Sequence, residues 1–148
     1  MRSKKIPNWP LALAAAIVLL VPASSPAITG PAVIAITDRV LTKTRSGRST
    51  IMQAQLLKDT GVIGNSATVC TYLGRDKTFG AGTSLCTVVY RLPKGPIIAE
   101  GLVARNALVF VLVVTGGAGY YTGVDGTVTS TAVMPRRSKL FFQLVGPG

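Results

Sequence analysis

The segment Val113-Val114-Thr115-Gly116-Gly117-Ala118-Gly119-Tyr120-Tyr121-Thr122-Gly123-Val124-Asp125-Gly126-Thr127-Val128 constrains the fold more than any other part of the chain. An apolar strand runs into a Gly-Gly-x-Gly turn, a Gly-x-x-Gly follows, and an alternating strand resumes. Glycine concentrates where φ must be positive or where two backbones, or a backbone and a ligand, approach closely. Gly116, Gly117, Gly119, Gly123 and Gly126 are therefore read as a structural turn that reconnects two strands. The segment lacks the Lys-Ser/Thr pair of a phosphate-binding loop, and no helical pattern follows it.

The rest of the chain reads as further strands. Short β-branched and aromatic runs alternate with Gly, Pro, Ser and Asp. Strands are expected at Val33–Leu41, Thr50–Leu57, Val62–Gly64 continuing after a bulge as Thr68–Leu73, Ser84–Leu92, Ile97–Val103, Ala107–Val114, Gly126–Val133 and Leu140–Leu144. Thr44–Ser49 reads as a basic polar loop, and Ile51, Gln53, Gln55 and Leu57 share one face of the second strand. About eight strands at this spacing, with no helix long enough for a crossover, predict an all-β antiparallel closed barrel. Eight strands enclose just enough space for side chains or one small ligand. The run Ala107–Val114 is apolar on both faces. One face suits the lumen, and the other needs cover from a second subunit, so a homo-oligomer is expected.

A chain of 148 residues has room for one such domain. Its N-terminus has a separate logic. Arg2, Lys4 and Lys5 precede an apolar run from Leu11 to Val21, and Ser25-Pro26-Ala27 supplies small residues for cleavage. This is the layout of a secretory signal peptide, and the apolar run is short for a membrane span. A retained signal anchor is the alternative. The expected organisation is a signal peptide over residues 1–27, cleaved near Ala27, then a secreted barrel domain over residues 28–148.

Three of the 16 Lys and Arg lie in that leader, so 13 remain against five Asp and Glu. The excess implies solubility and weak adhesion to an anionic cell envelope. The basic residues occur singly or in small groups without an aromatic stacking surface, which argues against nucleic acid as a partner. Histidine is absent, which excludes Ser-His-Asp and Cys-His catalysis. The acids Asp38, Asp59, Asp76, Glu100 and Asp125 form no local metal loop. Neither a metal nor a cofactor is expected. Any catalysis must come from shape, desolvation and a few polar groups.

Cys70 and Cys86 are the only cysteines. A hairpin centred on Thr78 sets them directly opposite, on one face with Thr68, Tyr72, Val88 and Tyr90. They are read as a disulfide, with a free cavity thiol at Cys70 as the alternative.

The glycine turn resembles that of plant allene oxide cyclases and dirigent proteins, small barrels that guide reactive hydrophobic intermediates. Val33-Ile34-Ala35-Ile36-Thr37-Asp38-Arg39 is similar to the family's first-strand pattern V-Y-E-I-N-E-R. Val62–Cys70 (VIGNSATVC) is similar to R-V-G-I-T-A-G-L-C. Val88 to Gly101 falls on the next hairpin, and Met134–Phe142 (MPRRSKLFF) resembles the closing Y-P-x-K-L-F-Y. The resemblance implies a lipocalin-like barrel with an apolar cavity, usually trimeric. It carries the family's first-strand glutamate and asparagine onto Ala35 and Thr37, its second-strand asparagine onto Gln55, its cavity cysteine onto Cys70 and a cavity tyrosine onto Val103. A methyl in place of a carboxylate argues against plant-type allene oxide cyclisation. Glu100 and Arg105 could supply the acid and arginine of a dirigent pocket, or form an ordinary ion pair on the outer face.

The candidate cavity residues are Gln55, Cys70, Tyr72 and Tyr90, with packing as the competing role for both tyrosines. Three functions remain open. The barrel could guide the cyclisation or coupling of a hydrophobic small molecule, bind a lipophilic ligand without chemistry, or be a filled structural barrel.

Overall fold

The computed structural model describes residues 26–74 and 82–147. The signal peptide expected over residues 1–27 lies outside them, but for its last two residues. Eight antiparallel strands close a barrel in simple chain order: β1 (Pro31–Ser46), β2 (Ser49–Lys58), β3 (Gly61–Gly74), β4 (Thr83–Leu92), β5 (Gly95–Ala104), β6 (Val109–Gly117), β7 (Asp125–Met134) and β8 (Arg137–Val145). β8 pairs back onto β1 from Pro31 opposite Val145 to Arg39 opposite Arg137. Each of the eight strands is thus paired on both sides, which is how an antiparallel sheet avoids edge-to-edge association.

Period-two alternation sets the interior. On β4, Cys86, Val88, Tyr90 and Leu92 are buried; on β8, Leu140, Phe142 and Leu144 are buried while Phe141 and Val145 are exposed. Phe142, Leu56, Ile97, Leu112, Leu144, Val124 and Val128 are the largest side chains wholly removed from solvent. They fill one end of the barrel. Ile28 helps close that end, its backbone N–H donating to the Tyr120 carbonyl at 2.8 Å.

The glycine-rich connection is longer than a tight turn. A single 3-10 turn at Gly119–Tyr121 separates β6 from β7 and buries Tyr121 beneath the closed end. Two glycines stand where the segment has no room for a side chain. A Cβ on Gly117 would collide with the Tyr121 backbone, and Gly126, at φ +140, lies against the Gln143 carbonyl of β8. Gly116 meets neither condition: its surroundings are open.

Other boundaries shift for local reasons. The expected loop at Thr44–Ser49 is the tip of the β1–β2 hairpin, with Ser46 opposite Ser49 and Gly47 at φ +56. β3 is continuous, and its bulge lies between Val62 and Gly64 rather than after Gly64. β6 starts at Val109, two residues after the expected Ala107. It buries Leu112 and Val114 inward and leaves Val109, Val111 and Val113 each more than half exposed on the outer wall.

Cys70 stands opposite Cys86 in the β3–β4 ladder, and the two form a disulfide. Bridging residues 16 apart removes unfolded-state freedom equivalent to about 3 kcal/mol.

Candidate functional site

The first strand determines what faces the lumen. Asp38 pairs with Leu56 and Val40 with Ala54, so these four point inward together with Ile36. One residue later the register slips: Val40 opposes Ala54 but Thr42 opposes Gln53. The bulge at Leu41 changes parity. Beyond it Lys43 opposes Met52 and Arg45 opposes Thr50, and these odd-numbered residues now face in.

Two adjacent spaces result. The inner one, about 210 Å³, has Val40, Ala54, Val88, Val103, Phe110 and Leu140 as its apolar wall. Asp38, Ser66, Thr68, Tyr90, Ser130 and Ser138 supply its polar atoms. The outer one, about 470 Å³, is the barrel mouth, where Lys43, Arg45, Arg48 and Arg105 surround Thr50, Tyr72 and Asn106. Met52, Val103 and the Cys70–Cys86 disulfide border both, forming a neck between them.

Asp38 is the only carboxylate among the described residues that lines either space. Its Oδ1 accepts a hydrogen bond from the Ser138 backbone N–H at 2.8 Å. Burial nevertheless raises its pKa above the ordinary carboxylate value, outweighing that hydrogen bond. Tyr90, 3% exposed, packs edge-on against Phe142 with ring centroids 4.9 Å apart. Burial, and then the Asp38 charge, push its hydroxyl upward, so the phenol stays protonated. The inner cavity therefore presents a reluctant acid and a neutral phenol inside an apolar wall, an arrangement suited to hydrogen bonding a carbonyl or ether oxygen.

The raised Asp38 pKa has a consequence for stability. The folded state holds this proton more tightly than the unfolded chain does. Its stabilising contribution is thus complete below the unfolded value of 3.8 and is lost as pH rises through the higher folded value. Asp38→Asn keeps an oxygen for Ser138 and removes the buried charge. The variant should match or exceed the wild-type melting temperature at neutral pH, with the difference shrinking towards pH 4. A wild-type profile parallel to that of the variant across this range would refute the shift.

The sequence-derived residues divide. Cys70 and Tyr90 line the inner cavity, Cys70 as half of the disulfide, and Tyr72 stands at the mouth. Gln55 does not enter the lumen. It points outward, where its side-chain oxygen accepts a hydrogen bond from Arg39 of β1, because Ala54 and Leu56 take the inward positions of β2. Glu100 also stays on the outer wall, accepting from the Thr87 hydroxyl at 3.3 Å, whereas Arg105 reaches the mouth. Val103 lines the cavity. Ala35 and Thr37 face outward, and the carboxylate this strand contributes to the lumen is Asp38, three residues after Ala35, onto which the motif carries the family's glutamate. Its signal was the alternation Ile34, Ile36, Asp38, Val40. Among the described residues, no three His, Cys, Asp or Glu side chains gather into a metal-binding group.

No protein-family model matches the chain, and no curated protein sequence matches it. Solved structures do. Pyocyanin demethylase superposes with a TM-score of 0.67 at 19% identity, covering 77% of this chain and 100% of its own. A nonspecific heme-binding cyclase that catalyses [4 + 2] cycloaddition during neoabyssomicin biosynthesis superposes with a TM-score of 0.67 at 12% identity. That match covers 78% of this chain and 65% of the cyclase. Identities this low establish a shared eight-stranded barrel fold. The likeness to allene oxide cyclases and dirigent proteins rests on the sequence motifs alone.

Proposed function

We propose that this protein is a secreted barrel that encloses a compact hydrophobic small molecule and guides its cyclisation or coupling without a cofactor. The observation that carries the reading is the apolar cavity of about 210 Å³ with one shielded acid, Asp38, beside the phenol of Tyr90. Holding a flexible guest in a folded conformation away from water accelerates ring closure by proximity and orientation. Hydrogen bonds from Asp38, when protonated, and from Tyr90 would polarise a guest carbonyl. Intramolecular cyclisation needs no external oxidant, which suits a lumen lined by such groups. That one structural neighbour is a cyclase and another a demethylase supports barrels of this shape as hosts for small-molecule chemistry.

The test begins with the guest. Protein purified under native conditions from its source is extracted, and the extract identified by mass spectrometry. The precursor is then offered to wild type, Asp38→Asn, Tyr90→Phe and Gln55→Ala. Wild type should change the rate or the handedness of ring closure, and Asp38→Asn should slow it about 100-fold. Gln55→Ala, on the outer wall, should behave as wild type. A guest that binds tightly and is returned unchanged by every form would replace this reading with that of a non-catalytic binder, which an apolar lumen with a single carboxylate also accommodates.

The reading includes a homo-oligomer, trimeric by family likeness. Val109, Val111 and Val113 form a contiguous apolar stripe on the outside of β6, and such stripes are ordinarily covered. Light scattering should report more than one copy, and Val111→Lys with Val113→Lys should yield monomers; a monomeric wild type would refute it. Outward Arg39, Arg137 and Lys139 on β1 and β8 fit weak adhesion to an anionic envelope.

A further inference from the structure

The mouth carries a charge pattern that the apolar lumen does not explain. Charge that serves solubility belongs on the outer wall, where Arg39 and Lys139 already stand. Lys43 and Arg45 instead face the mouth, and only because the bulge at Leu41 reverses the parity of β1. The bulge is tied down from the β7–β8 turn. The Arg136 carbonyl accepts the Val40 N–H at 2.9 Å, and the Arg136 guanidinium donates to the Leu41 carbonyl at 3.4 Å. Arg48 comes from the β1–β2 turn and Arg105 from the β5–β6 turn, so the β1–β2 hairpin tip and a turn more than fifty residues away together deliver four cations to one opening. Thr50, Ser84 and Asn106 add neutral hydrogen-bonding groups there. Among the described residues, no carboxylate lines this space. Four like charges around one opening repel each other, and an anion seated between them would relieve that repulsion.

We propose that the guest is an amphipathic anion, its apolar body in the inner cavity and its carboxylate, sulfate or phosphate held at the mouth by Lys43, Arg45, Arg48 and Arg105. The inference rests on the lumen-binding reading above and narrows it to a substrate class. The disulfide neck lies where the two halves of such a molecule would join, since Cys70 and Cys86 border both spaces. The arginines present planar donor forks matched to carboxylate and phosphate oxygens. The mouth charge also acts before contact, raising the capture rate of an anion over that of a neutral molecule of equal shape.

Two fluorescent probes with the same apolar body separate the contributions: phenylnaphthylamine, which is neutral, and anilinonaphthalene sulfonate. At low ionic strength the sulfonate should bind about tenfold more tightly, one per barrel. That preference should vanish in about 0.5 M salt, where the screening length falls to a few ångströms. It should also vanish in Arg45→Gln with Arg48→Gln, and independently in Lys43→Gln with Arg105→Gln, while the neutral probe binds as before. Arg39→Gln with Lys139→Gln removes the same charge from the outer wall and should leave the preference intact. Equal affinity for the two probes, or a preference lost equally in the outer-wall variant, would overturn the anion assignment and leave the lumen reading standing. If neither probe binds wild type, the lumen reading itself falls, and this inference with it.

Discussion

Phe142→Ala should lower the unfolding free energy by about 3–5 kcal/mol, the range for deleting a fully buried aromatic ring. Phe142 is 0% exposed on β8 and supplies the edge-to-face partner of Tyr90. Part of the cost is the lost transfer of the ring from water. Part is the void left among neighbours fixed to a closed ladder, which cannot collapse inward. The ring pair with Tyr90 accounts for about 0.5–1.5 kcal/mol of that total. For a domain stable by about 5–15 kcal/mol the loss is a large fraction of the total. Urea unfolding followed by fluorescence would measure it. The same substitution extends the cavity towards the closed end, so the variant should also admit bulkier probes than wild type. A midpoint within error of wild type would mean that the closed end is not the packed floor described above.

Ala54→Trp should have the opposite balance, weakening binding about a hundredfold while sparing the fold. Ala54 is 5% exposed and forms part of the inner wall beside Ser66 and Tyr90. An indole there projects into empty space rather than into packed atoms, so the usual overpacking cost of about 1–3 kcal/mol is an upper bound. A guest denied about 100 Å² of apolar burial loses about 2.5 kcal/mol, close to a hundredfold in affinity. Probe titration alongside thermal melting gives both quantities. Undiminished binding in a folded Ala54→Trp variant would move the ligand out of the lumen.

These two residues also mark what the sequence made legible. Alternation around Phe142 and Tyr90, together with turn residues at regular spacing, was enough to expect eight antiparallel strands. Symmetry of the β3–β4 hairpin about Thr78 was enough to place Cys70 opposite Cys86. Inside and outside were harder on β2. Motif likeness favoured Gln55 as a cavity residue, yet Met52, Ala54 and Leu56 form the more apolar of the two faces, and that difference was the better guide. On β1 the motif drew attention to Ala35 and Thr37, and away from Asp38, whose inward position follows from the same alternation that buries Ile36. The mouth was not legible. Nothing in Val40-Leu41-Thr42 announces an extra residue, because the bulge is fixed by Arg136, nearly a hundred positions away in sequence. Arg45 and Arg48 therefore read as part of a basic polar loop, Thr44–Ser49. Periodicity reports which residues share a face within one strand, whereas a parity change depends on the partner strand.

The most direct measurement is nuclear Overhauser spectroscopy of the methyl-labelled protein with a bound apolar aromatic probe. Cross-peaks from the probe to the methyl groups of Val88, Val103 and Leu140 are expected, since all three line the inner cavity. Cross-peaks confined to Val109, Val111 and Val113, on the outer wall of β6, would show that apolar molecules merely coat the barrel, and would contradict a guest held within it.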